Sequence, residues 1–144
     1  MIAAVAGATP LTDSHPRRWR VLALLAIAEL LGMSLWFGAS AVATQLTDRW
    51  GLPAGSGAAS WITSVVQLGF VCGTAIAALL NLADVLPSRW YFAGAAVLAG
   101  AANAFVASTS SYPAALVARF LTGAFLAGVY PPAMKMAATW FRAP

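Results

Sequence analysis

The residue that most constrains this chain is Arg119, which stands inside the apolar stretch 112–135, YPAALVARFLTGAFLAGVYPPAMK. A run of that length is a candidate for crossing a bilayer, which takes about 20 residues at about 1.5 Å rise each. A guanidinium within a span costs roughly 2.5–3.5 kcal/mol on insertion scales, so it requires a partner, a cavity or water. Among the apolar stretches only Glu29 offers a carboxylate to answer it. The chain is expected to be organised around that pair.

Composition agrees with a membrane protein. Only 8% of the residues are charged and 61% are hydrophobic, whereas a soluble domain carries about 25% charged residues. The net charge of +4 does not indicate nucleic acid here, because the basic residues sit mostly at the ends of apolar runs, where they orient helices. A lone cysteine, Cys72, excludes an intrachain disulfide and a multi-cysteine metal site. No His cluster, Ser-His-Asp set or phosphate loop is present, so no enzymatic chemistry, cofactor or metal is expected.

Read in order, the chain opens on an Ala-rich tail, residues 1–20, broken by Pro10 and Pro16, with His15 beside no second ligand. The tail carries Arg17, Arg18 and Arg20, and the apolar run after it is too long for a secretory signal core. A first helix is expected over 21–46. Glu29, Met33, Trp36 and Ser40 follow at offsets of four, seven and eleven and project from nearly one face. Glu29 reads either as a carboxylic acid kept neutral by burial or as a proton carrier or counter-ion to substrate. A Gly/Pro/Ser-rich loop follows, framed by Trp50 and Trp61.

The second helix, 61–81, carries the polar stripe Thr63, Gln67 and Thr74, and the close-packing pair Gly69 and Gly73. Gln67 is equally readable as interhelical glue or as a substrate contact. The turn LADVLPSR holds Asp84 and Arg89, for which a local ion pair is the plain reading. The third helix, 90–108, is Ala-rich, with Asn103 suited to an interhelical hydrogen bond. The fourth, 112–135, places Arg119, Gly123 and Tyr130 on one face at offsets of four and eleven, and Pro131 and Pro132 break or kink it. Arg17, Arg18, Arg20, Arg89, Lys135 and Arg142 fall on one side and Arg49 alone on the other. Both termini are therefore expected in the cytoplasm of a multi-pass plasma membrane protein.

The segment RFLTGAFLAGVYPPAMKMAATWF, 119–141, resembles the fourth-helix pattern of the major facilitator superfamily of secondary transporters: an arginine, a glycine four residues on, a Tyr-Pro break and a terminal Trp-Phe. Leu82, Ala83, Asp84 and Arg89 match that family's signature between its second and third helices, whereas Leu80, Val85, Pro87 and Ser88 depart from it. SLWFGASAV and VQLGF are loosely similar to the cyanate and nitrate porter branch. The resemblance implies an all-α fold, the N-terminal four helices of a twelve-helix bundle built from inverted three-helix repeats. It implies that the chain is a fragment whose missing remainder is its partner, beside the lipid bilayer and a small-molecule solute. It also carries over a central cavity lined by Glu29 and Arg119, suited to alternating access with a small anion and protons. The other classes to be weighed are a complete four-helix dimeric exporter like the small multidrug resistance proteins, which carry a first-helix glutamate, and a non-transporting membrane subunit in which Glu29 and Arg119 neutralise each other.

Overall fold

The computed structural model describes residues 16–141. Residues 1–15 of the tail, His15 among them, and the flanking Arg142 lie outside the described residues. The described chain is helical throughout: α1 (Arg18–Ala41), α2 (Ala43–Arg49), α3 (Ala58–Leu79), α4 (Leu82–Val85), α5 (Ser88–Ser108), α6 (Tyr112–Leu126) and α7 (Tyr130–Ala138). Four helical stretches are long and apolar enough to cross a membrane: α1, α3, α5, and α6 with α7 taken together as Tyr112–Ala138. The chain is read as a multi-pass membrane protein on that basis.

Two of the expected helices are divided. The first breaks at Val42, two residues beyond Ser40, whose hydroxyl donates back to the Trp36 carbonyl at 3.4 Å, a contact that bends helices. The fourth breaks at Ala127–Val129, ahead of Pro131 and Pro132, which occupy the first turn of α7. A proline has no N–H to give and its ring clashes with the carbonyl four residues back, so the ladder fails at Ala127 and Gly128 and not at the prolines themselves. Asn81 ends α3 in the left-handed region at φ 52°, which asparagine tolerates better than most residues.

The tightest seam joins α3 to α6. A Cβ at Gly69 would overlap the Phe120 carbonyl, one at Gly73 the backbone of Ala124, and one at Gly123 the Val66 carbonyl. The Gly69/Gly73 pair thus packs two spans of one chain backbone to backbone, the use such pairs have where lipid offers no hydrophobic drive. Two small apolar clusters fill the rest. Ile62, Val106, Ala115 and Ala118 pack with Ala39 and Ala43, while Ala95, Ala99, Leu126 and Val129 pack with Trp36 and Phe70.

The ends of the bundle are tied by polar contacts. At one end Trp50 Nε1 donates to Thr109 O at 3.0 Å, Arg49 Nη1 donates to Ala107 O at 3.2 Å, and the Tyr112 hydroxyl donates to Ala58 O at 3.1 Å. At the other, Trp19 meets Phe141 edge-on with centroids 5.6 Å apart, and Lys135 reaches the α4 turn. Arg18, Arg20, Arg89 and Lys135 therefore share one end and Arg49 stands at the other.

The glycine seam gives a direct test. Gly123→Val is expected to lower stability by at least ~1–3 kcal/mol, the usual cost of overpacking, because backbone and not a flexible side chain must move. Gly94→Ala, whose Cβ would meet nothing within 4 Å, is expected to leave the thermal melt in detergent unchanged. Equal melts for the two variants would refute the close seam.

Candidate functional site

Arg119 is wholly buried, and its side chain is bonded to each of the other three spans. Nε donates to Ile62 O of α3 at 3.3 Å. Nη1 donates to Leu35 O of α1 at 3.1 Å and to Asn103 Oδ1 of α5 at 3.0 Å. Nη2 donates to Trp36 O at 2.8 Å and to Ser40 Oγ at 3.3 Å, both on α1. A guanidinium has five N–H donors in a rigid fork, and all five are used. At the ~0.6 kcal/mol average found for hydrogen bonds inside membranes, five bonds come to roughly the insertion cost of one arginine. At the ~1.5–3 kcal/mol typical of charged donors, two would suffice. Arg119 is thus stable where it stands without any carboxylate.

The expected ion pair with Glu29 is not formed. None of the five acceptors belongs to Glu29, and its Oε1 is buried without a hydrogen-bond partner. Helical periodicity assigns a face and says nothing of height. Glu29 precedes Trp36 by seven residues, about 10 Å along α1. Nearer to it, Gly32 lies against Val129 at the α6–α7 break, with 3.3 Å from its would-be Cβ to Val129 Cγ1. Glu29 and Arg119 are two separate polar sites on one side of α1.

Tyr130 is not on the Arg119 face. It is exposed while Arg119 and Gly123 are buried, because the break at Ala127–Val129 interrupts the helical register that an offset of eleven assumes. Gln67 is exposed on α3, with half-buried Thr63 and exposed Thr74 along the same stripe, and no hydrogen bond is recorded for it, so it does not glue these four spans together. The stripe adjoins Phe70, which meets Trp36 of α1 edge-on at 5.1 Å. A bare amide is costly against hydrocarbon, so this side of α3 suits water or a polar neighbour.

The turn between α3 and α5 is tied differently from the local pair expected there. Asp84 Oδ1 accepts from Lys135 Nζ of α7 at 2.8 Å, and Lys135 also donates to Ala83 O at 2.8 Å. Arg89 lies instead over the Trp90 ring, 5.7 Å from its centroid. Hydrogen bonding and charge from Lys135, with a smaller hydrogen bond from Asn81, hold the Asp84 carboxyl below its ordinary range, while desolvation opposes them.

Sequence reasoning missed most of the Arg119 cradle. Three of its acceptors are backbone carbonyls, which no side-chain pattern marks. Asn103 and Ser40 were visible as polar groups in apolar runs, and that was the available signal. A cavity of about 450 Å³ between α3, α5 and α6 is lined by none of Glu29, Arg119, Gln67 or Tyr130. Among the described residues no cluster of His, Cys, Asp or Glu could hold a metal ion. Comparison with known proteins found no matching family model, no similar curated protein and no similar solved structure.

Two outcomes follow from this geometry. Asn103→Leu removes one bond of five and is expected to cost ~0.6–1.7 kcal/mol, whereas Arg119→Lys, with three donors and no fork, is expected to cost more and to shift the emission of Trp36. Chemical denaturation followed by tryptophan fluorescence distinguishes them, and a lysine variant as stable as the native chain would disprove the five-bond cradle. The Asp84–Lys135 tie depends on an ionised carboxylate. Because the folded pKa is lowered, its stabilisation is full above the unfolded value of about 3.9 and is lost as pH falls through the lower folded value. The stability gap between native protein and Asp84→Asn is therefore expected to be constant from pH 5 to 7 and to close below about pH 4. A gap that does not shrink at all as pH falls below about 4 would mean that the carboxylate charge is not what holds the turn.

Proposed function

We propose that this chain forms the first four spans of a secondary active transporter, a major-facilitator-type protein moving a small solute by alternating access. The solute class favoured is a small anion, with protons as the coupling ion. The observation that carries the reading is the separation of two intramembrane ionisable groups: a fixed cation at Arg119, satisfied by neutral acceptors, and an acid at Glu29 whose buried oxygen has no partner. Ionisable residues within spans mark substrate and proton paths far more often than they serve packing. A structural neutralising pair, the main alternative, would put the two in contact.

Three further features support the reading. The α6–α7 span is discontinuous, as spans at transporter midplane sites typically are. The stripe Thr63, Gln67 and Thr74 turns polar groups away from the packed seam with α6. The motif RFLTGAFLAGVYPP, with its arginine, glycine and Tyr-Pro break, resembles the facilitator fourth helix, and Glu29 would then face a central path completed by further helices, with Arg119 buried beside it as the cation that fixes α1. Basic residues gathered at one end of the bundle favour a plasma membrane orientation with that end in the cytoplasm. The reading assigns no enzymatic step.

The test uses inside-out vesicles from cells expressing the native gene, with a fluorescent dye reporting luminal pH. Addition of nitrate or cyanate is expected to move protons, and Glu29→Gln is expected to abolish that movement while the protein still inserts. Proton movement that is the same in Glu29→Gln and native vesicles would remove the carboxylate from the mechanism. No solute-driven proton movement in native vesicles would sink the coupling.

A further inference from the structure

The cavity between α3, α5 and α6 is a trough open to the side of the bundle. Its floor is Ala124, Phe125 and Gly128 of the α6 span, and its walls come from Gly73, Ile76 and Ala77 of α3 and from Trp90, Tyr91, Gly94, Ala95 and Leu98 of α5. Small residues make it: a Cβ on Gly94 would meet nothing within 4 Å, so space that a larger residue would fill stays empty. From Trp90 to Leu98 it runs about 12 Å along α5, close to the depth of one leaflet of a hydrocarbon core about 30 Å thick.

The trough is apolar along its length and charged at one end. Leu82, Leu86 and Trp90 close that end, and there the Arg89 guanidinium lies over the Trp90 ring. Lys135 stands at the same end, bonded to Asp84, so those two charges cancel and Arg89 supplies the net positive charge. The N-terminus of α5, a helix of 21 residues that begins at Ser88, adds the positive end of its dipole.

We propose that this trough is a binding site for an anionic phospholipid in the leaflet at the basic end of the bundle, with an acyl chain along Gly94 and Gly73 and the phosphate on Arg89. Length, apolar lining and charge at the mouth all match one amphiphile. A free anion would use the mouth and leave the trough empty. The site is remote from Glu29 and Arg119 and does not depend on the transport reading.

Trp90 provides the readout, because it lines the trough and neighbours the proposed phosphate. The full chain is reconstituted in phosphatidylcholine bilayers containing a low fraction of phospholipid brominated along its acyl chain, and quenching of Trp90 is taken as the difference from Trp90→Phe. Brominated phosphatidylglycerol is expected to quench at roughly one fifth of the mole fraction that brominated phosphatidylcholine requires, the factor that one basic contact to an anionic headgroup supplies. Arg89→Gln is expected to erase that headgroup difference. Gly94→Leu, which fills the trough without touching a packed seam, is expected to reduce quenching by both lipids to the level of bulk lipid. Equal quenching by the two headgroups in the native protein, a measurement that needs no folded variant beyond Trp90→Phe, would overturn the proposal. So would a headgroup preference that survives Arg89→Gln, or quenching that Gly94→Leu leaves unchanged.

Discussion

Every span of this bundle is held in register by one cation. Arg119 of α6 reaches the main chain of α1 at Leu35 and Trp36, the main chain of α3 at Ile62 and the side chain of Asn103 on α5. Within a bilayer, helices gain little from burying apolar surface against each other, because lipid tails solvate that surface equally well. Position must therefore come from close packing and from polar bonds with few alternatives. A guanidinium supplies the second in concentrated form, since its fork is rigid and its donors have nowhere else to go. The glycine seam between α3 and α6 supplies the first. By bringing the two backbones together at Gly69, Gly73 and Gly123, it sets Arg119 one turn from Gly123 at a depth where it reaches three helices at once.

Much of this architecture was legible in the sequence. The four apolar runs, the loops between them and the basic asymmetry follow from hydropathy and charge alone, and the structure has four stretches fit to span a membrane in the same places. The small-residue pair on α3 was readable as packing, and the α6 backbone it meets, at Phe120 and Ala124, flanks Gly123, which itself lies against Val66. These features are legible because they rest on composition and on a period that a straight helix preserves.

What was not legible rests on depth, on breaks or on the main chain. Offsets of four, seven and eleven place Glu29 on the face of Trp36 and Ser40 but say nothing of which turn an arginine from another helix will reach. The assumed register of Tyr130 failed because two prolines disrupt the ladder several residues ahead of themselves. Lys135 read as a flanking charge and Asp84 as a partner for Arg89, yet the tie that formed spans 51 residues, which local spacing does not encode. The carbonyls of Leu35, Trp36 and Ile62 are invisible to any side-chain pattern.

The failure of the expected ion pair carries more functional weight than its success would have done. Had Glu29 met Arg119, each would have held the other ionised, and a group fixed in one protonation state carries no proton. Neutral dipoles instead satisfy the guanidinium, which leaves the cation permanent and the acid free of an opposing charge. None of the five bonds of the cradle runs through that carboxyl group, so the bonding of Arg119 does not depend on it. The same division separates structure from chemistry along α1. Leu35, Trp36 and Ser40 hold the helix in the bundle, and Glu29, about two turns away, takes no part in that bonding.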